Sequence, residues 1–128
     1  TGQWPEAIHP LTGGGCMGDG HHVWASAEWL MMIRNGFVRE DTDSRLVVGA
    51  GIPGRWLGGD SPISFGPAPT SFGTISIDVK PGDEAVSVRW KAHWRRKPKA
   101  IEVSLPGFGT VRVDPDKTEV TLTVGVSV

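Results

Sequence analysis

The sequence predicts a mainly β protein of the α+β class, with one buried helix near the amino terminus followed by an antiparallel β-sandwich. Beyond Gly73, apolar and polar residues alternate in short runs, which is typical of half-buried strands. Pro-Gly turns at 81–82 and 106–107 separate some of these runs. Before Gly73, one apolar segment, 20–34, lies between a helix start signal and a helix stop signal.

Length and charge limit the classes of protein to which the chain can belong. A chain of 128 residues is long enough for one domain with a buried core. Its 13 Lys and Arg residues nearly balance its 14 Asp and Glu residues, so no net positive charge would attract nucleic acid or an anionic membrane. The single Cys16 excludes an internal disulfide framework and a multi-cysteine zinc site. No apolar run approaches the roughly 18 residues of a membrane span.

Residues 1–20 contain six glycines and two prolines without strand or helix periodicity, so we expect a loop. Pro5 and Pro10 fix their own φ angles and restrict the residues before them. Glu6 therefore lies in a stiffened segment. A phosphate-binding loop is not favoured, because no strand precedes the glycines and the Lys-Ser/Thr pair of a P-loop is missing.

The apolar segment predicts a helix of about 15 residues, with Asp19 as its N-cap and Asn35-Gly36 as its stop signal. Apolar side chains cover most of its circumference, so it should be buried on more than one side. A chain built otherwise from strands offers little such cover. We therefore expect the chain to be a piece of a longer protein, and the isolated helix to associate with another copy.

The middle of the chain is rich in turn formers. We expect an exposed connector at 39–44, a short buried strand at 45–51, a turn-rich segment at 52–59 and a linker at 62–73. Five short strands should follow, with these apolar residues facing inward: Ile75, Ile77 and Val79; Val86, Val88, Trp90, Ala92 and Trp94; Ile101, Val103 and Leu105; Val111 and Val113; Val120, Leu122, Val124 and Val126.

Glu6 is the candidate catalytic residue. Glycoside hydrolysis requires a carboxylate that activates water or attacks the anomeric carbon, and a second carboxylic acid that protonates the leaving oxygen. Trp4 could supply an apolar wall for a sugar ring. An idle, solvated glutamate and a core tryptophan are the commoner roles for these residue types.

Residues 2–6, followed by a Gly-rich loop and by 18–30, resemble the last catalytic loop and following helix of (α/α)6-barrel glycoside hydrolases of the glucoamylase-like and glucosidase type. The resemblance covers roughly residues 1–40 and implies that Glu6 is the general base of an inverting mechanism. The family's general acid lies on an earlier loop, outside this chain. The resemblance implies a barrel remnant at 1–40, a β-sandwich domain at 41–128, and no hydrolysis by this chain alone.

We assign Trp4, His9 and Asp19 to binding the carbohydrate substrate of the longer protein. His21 or His22 could be a polar neighbour of the same pocket or a surface residue at the helix start. We expect no metal and no cofactor, because the His, Asp and Cys residues of 9–22 lack the paired, regular spacing of a zinc site.

A competing interpretation is a non-catalytic β-sandwich that binds carbohydrate or protein. The basic run 89–99 superficially suits single-stranded nucleic acid. Alternation, however, places Trp90 and Trp94 on one face of the strand and the cations on the other, so we predict a solvated edge strand and no nucleic acid.

Overall fold

A computed structural model describes residues 4–17, 20–41 and 44–124, and it divides the chain into two compact units, the first ending at Ile33 and the second beginning at Arg34. The elements are β1 (Ala7–Ile8), β2 (Gly15–Met17), α1 (Val23–Phe37), β3 (Val38–Asp41), β4 (Arg45–Val48), a 3-10 turn (Gly54–Trp56), β5 (Ile63–Thr70), β6 (Gly73–Lys80), β7 (Ala85–Trp94), β8 (Ala100–Leu105), β9 (Gly109–Val113) and β10 (Glu119–Thr123). The predicted domain boundary at residue 40 falls inside β3.

The strands of the second unit form two four-stranded sheets, in the orders β10-β7-β6-β5 and β3-β4-β8-β9. The mainly β fold with one helix is confirmed. All strand pairs are antiparallel except β4 with β8, which run parallel. The long excursion through β5, β6 and β7 allows the chain to return beside β4 in the same direction, which a short hairpin could not do.

One face of each sheet supplies the core, as the alternating pattern predicts. The side chains that are at most 3% exposed include, in one sheet, Ile75, Ile77, Val79, Val86, Val88 and Trp90 and, in the other, Leu46, Val48, Ile101, Val103 and Leu105. The five strands predicted after Gly73 are present as β6 to β10. Val126 lies outside the described residues.

Two segments predicted as connectors are strands. β3 replaces part of the connector at 39–44, and β5 replaces most of the linker at 62–73. Each forms one edge of its sheet. Edge strands tolerate charged side chains and prolines because one row of backbone groups needs no partner strand, so their composition resembles that of a loop.

The placement of β7 also differs from the prediction. It lies between β10 and β6, so it is an interior strand and not an edge. The separation of its two faces is confirmed for Trp90, which is 3% exposed, whereas Lys91 on the other face is exposed. The basic side chains therefore occupy the solvent face of an interior strand.

Two very short strands, β1 and β2, pair with each other before α1, and α1 itself is a helix of 15 residues. The helix begins at Val23, and His22 Nδ1 accepts a hydrogen bond from the backbone N–H of Ala25 at 3.2 Å. His22 thus has the capping role predicted for Asp19, which lies outside the described residues. At its other end the helix continues through Gly36 to Phe37 and leads directly into β3.

The prediction that α1 is buried is wrong for the described residues, where Phe37 is its one buried residue. Val23, Trp24, Leu30, Met31 and Met32 are all at least half exposed. A helix that is apolar around most of its circumference needs cover on several sides, and the first unit offers only two short strands. Association of this face with another copy stays a prediction.

Within the second unit, a partly buried ion pair joins Arg34, in the last turn of α1, to Glu40 on β3. The Arg34 guanidinium contacts both carboxylate oxygens of Glu40, at 2.7 and 2.8 Å, and donates to the Pro69 carbonyl at 2.9 Å. The Glu40 carboxylate also accepts the backbone N–H of Ser71 at 2.8 Å. The hydrogen bond from Arg34 is the main reason that the pKa of Glu40 falls from 4.5 to about 2.

Replacing Glu40 with Gln should lower the free energy of unfolding by roughly 1 to 2 kcal/mol at neutral pH, since partial exposure screens the ion pair. A lowered pKa means that the stabilisation is complete above pH 4.5 and is lost as the pH falls toward 2. Urea unfolding at several pH values should therefore show the two proteins converging in acid. Glu119→Gln, at the exposed pair with Arg89, is the control and should change little. Equal losses in both variants would contradict this prediction.

Candidate functional site

Backbone hydrogen bonds hold the Glu6 segment beside the start of α1. Trp4 N–H donates to the Gly20 carbonyl at 2.9 Å, and His22 N–H donates to the Trp4 carbonyl at 3.1 Å. Glu6 N–H donates to the Met17 carbonyl at 3.2 Å within the short hairpin. These bonds bring the candidate carboxylate next to the residue that caps the helix.

Glu6 and His22 line a surface cleft of about 250 Å³ with Trp24, Ala25 and Glu28. The distance from Glu6 Oε2 to His22 Nε2 is 3.6 Å, and the two side chains are 46% and 25% exposed. Since His22 Nδ1 accepts the Ala25 N–H, the proton of a neutral imidazole lies on Nε2 and faces Glu6. The Glu6 carboxylate thus has an N–H on one side and solvent on the other.

A second carboxylate and an indole ring complete the cleft. Trp24 Nε1 donates to Glu28 Oε1 at 3.3 Å, one helical turn away. Trp24 is 68% exposed, so its ring is accessible to a ligand. Two carboxylates beside an exposed indole can bind hydroxyl groups and an apolar ring face, and one of them can take a proton from water.

The structure gives the other predicted site residues different surroundings. The Trp4 ring packs against Trp29, with centroids 4.7 Å apart, and Trp4 does not line the cleft. His9 Nδ1 accepts the backbone N–H groups of Leu11 and Thr12, both at 3.3 Å, so His9 orders the tight turn. Asp19 lies outside the described residues. Sugar binding by these three residues stays a prediction.

Sequence reasoning did not identify Trp24 and Glu28 as cleft residues, and it treated His22 only as a neighbour. One signal was present, because residues four apart on a helix lie on the same side. This spacing identifies cleft residues only when the first residue of the helix, Val23, is known. Only then do residues 24 and 28 fall on the side where His22 meets Glu6.

Charge distribution leaves the cleft carboxylates without a strong cationic partner in their own unit. All 13 Lys and Arg residues of the sequence follow Ile33. Among the described residues that line the cleft, the basic side chain is that of His22. No group of three or more potential metal ligands occurs within 4–17, 20–41 and 44–124, so the described part of the cleft has no metal-binding geometry.

Comparisons with known proteins found no matching family model, no matching curated sequence and no matching solved structure. In the described part of the chain, no helix is both long enough and apolar enough to cross a membrane. The residues of the cleft and the resemblance of 2–6 and 18–30 are the features of this chain that bear on its function.

Proposed function

We propose that the chain is the carboxy-terminal part of a glycoside hydrolase, with Glu6 as the general base and the strands as an accessory β-sandwich. The observation that carries the proposal is the position of Glu6. Its carboxylate opens into a cleft beside His22 and the exposed Trp24, where a water molecule and a sugar ring have room. Its side chain is 46% exposed, so the carboxylate is accessible to water.

In the proposed reaction, the Glu6 carboxylate accepts a proton from a water molecule as the water oxygen bonds to the anomeric carbon. The glycosidic bond breaks, and the leaving oxygen takes a proton from a general acid elsewhere in the complete protein. The His22 imidazole lies 3.6 Å from the carboxylate, and Trp24 offers a face on which a sugar ring can stack. The chain alone lacks the acid and should not turn over substrate.

The second candidate function is a non-catalytic module that binds carbohydrate or protein. It is favoured by the second unit, whose strands form two four-stranded sheets with many buried apolar side chains. In this alternative the loop and helix order the module, and Glu6 has no chemical role.

The two candidates are distinguished by assaying the complete product of the gene beside the isolated 128-residue chain. We expect the complete protein to release reducing sugar from at least one member of a panel of α- and β-linked glucosides, and the isolated chain to release none. The proposal fails if the gene encodes nothing beyond this chain, or if the complete protein binds saccharides without cleaving any of them.

A further inference from the structure

The solvent face of β7 and the residue after it carry a row of basic side chains. Lys91, His93 and Arg95 are two residues apart and are all exposed. Alternation along a strand places them on one face, about 7 Å from one to the next. The row lies in the second unit, so it is independent of the cleft around Glu6.

Arg89 is a cation on the same sheet that carboxylates of the protein itself neutralise. It is the preceding basic residue on the same face, and it pairs in register with Asp78 on β6 and Glu119 on β10. Its Nε lies 3.1 Å from a Glu119 carboxylate oxygen. Charged neighbours on both adjacent strands therefore compensate Arg89.

The next cations along β7 lack such compensation. Their cross-strand partners on β6 are hydroxyl residues, Ser76 opposite Lys91 and Thr74 opposite His93. On the other side, the pairing of β10 with β7 ends at the pair of Glu119 with Arg89. No ion pair recorded for the described residues involves Lys91, His93 or Arg95. On β6, hydroxyl residues stand opposite Lys91 and His93, whereas a carboxylate stands opposite Arg89.

Two other acidic groups of the second unit are already paired with other residues. Glu40 accepts the Ser71 N–H near this end of the sheet, and both of its oxygens contact Arg34. Asp116 pairs with Lys97. Neither carboxylate is free to neutralise the row.

A pocket of about 450 Å³ lies at the end of the row, lined by Pro69, Thr70, Gly73, Thr74, His93 and Arg95. Arg95 is held in place because its Nη2 donates to the Thr70 carbonyl at 3.1 Å and its backbone N–H donates to the Phe72 carbonyl at 2.8 Å. No carboxylate lines the described part of this pocket. A fixed guanidinium beside an imidazole and a threonine hydroxyl is a suitable donor set for an oxyanion.

We propose that this pocket binds the anionic group of an acidic saccharide, the carboxylate of a uronic acid or a sulfate ester. Arg95 and His93 hold the anion, Thr74 bonds a ring hydroxyl, and Lys91 attracts the next acidic sugar. Nucleic acid fits less well because the neighbouring Trp90 is 3% exposed and faces the core, so its ring cannot stack on a base. The second unit thereby gains a binding role separate from the proposed catalysis.

The test is calorimetric titration of the 128-residue chain with four oligomers of similar length: a polyuronate, a sulfated glycan, a neutral glucan and oligodeoxythymidylate. We expect binding of one or both acidic glycans, and the stronger of the two identifies the anion. The neutral glucan should not bind. Arg95→Met should weaken the binding at least tenfold, and His93→Gln should weaken it by a smaller factor.

The matched control is Arg112→Met, which removes one cation from β9 in the other sheet. It should change the affinity less than threefold, and a nitrogen-proton correlation spectrum should show that all three variants are folded. The proposal is overturned if neutral glucan binds as well as the acidic glycans, if Arg112→Met weakens binding as much as Arg95→Met, or if oligodeoxythymidylate binds most tightly.

Discussion

Replacing Glu6 with Gln in the complete protein is expected to lower kcat for glycoside hydrolysis by about 10²- to 10⁴-fold, the range over which general base catalysis contributes. The amide keeps the shape of the side chain and its contact with His22 but cannot accept the proton of the attacking water. Because the substrate contacts remain, KM should change little. The measurement is initial rates of sugar release with the substrate identified from the glycoside panel.

Glu28→Gln is the matched control, since Glu28 lines the same cleft and carries the same charge. Its carboxylate is engaged by Trp24 at 3.3 Å, so we expect less than a tenfold fall in kcat. Wild-type turnover in Glu6→Gln would remove the general-base role altogether. A loss confined to Glu28→Gln would instead assign the base to Glu28.

The strands after Gly73 could be predicted because each has one face in the core and one in solvent, so apolar and polar residues alternate along its sequence. β3 and β5 could not be predicted in this way. The charges of β3 hide any alternation, and the prolines of β5 are tolerated because it lies at an edge. Which strands form the edges depends on the order of strands in the completed sheet. The parallel pairing of β4 with β8 has the same origin, because it depends on the route of the chain between them.

Of the residues that line the candidate cleft, Glu6 could be singled out from the sequence, and the others less so. Pro5 marks a stiff segment, and a stiff segment with an acidic side chain is a recognisable feature of a sequence. The rest of the cleft depends on where α1 begins, and the cap at His22 was hidden because histidine is an uncommon N-cap residue. Trp4 was ambiguous from the start, since an indole beside a glutamate can equally well pack on another ring, as it does on Trp29.

Replacing Gly73 with Ala is expected to destabilise the second unit by about 3 kcal/mol or more. Gly73 has a φ of +140°, which side-chain-bearing residues rarely adopt, and a Cβ there would lie 2.1 Å from the His93 carbonyl oxygen. That oxygen belongs to the backbone of β7, so it can move only if the pairing of β6 with β7 opens. Urea unfolding followed by tryptophan fluorescence measures the loss, since Trp90 is buried in this sheet.

Gly107→Ala separates the loss of stability caused by a positive φ from the loss caused by a steric clash of the added Cβ. Gly107 also has a positive φ, +85°, but a Cβ there would meet no atom within 4 Å. We expect it to cost about 1 to 2 kcal/mol, the price of a left-handed conformation for a residue with a Cβ. If Gly73→Ala fails to fold while Gly107→Ala folds, the steric explanation is supported. If the two variants lose equal stability, the contact between Gly73 and His93 does not constrain the sheet.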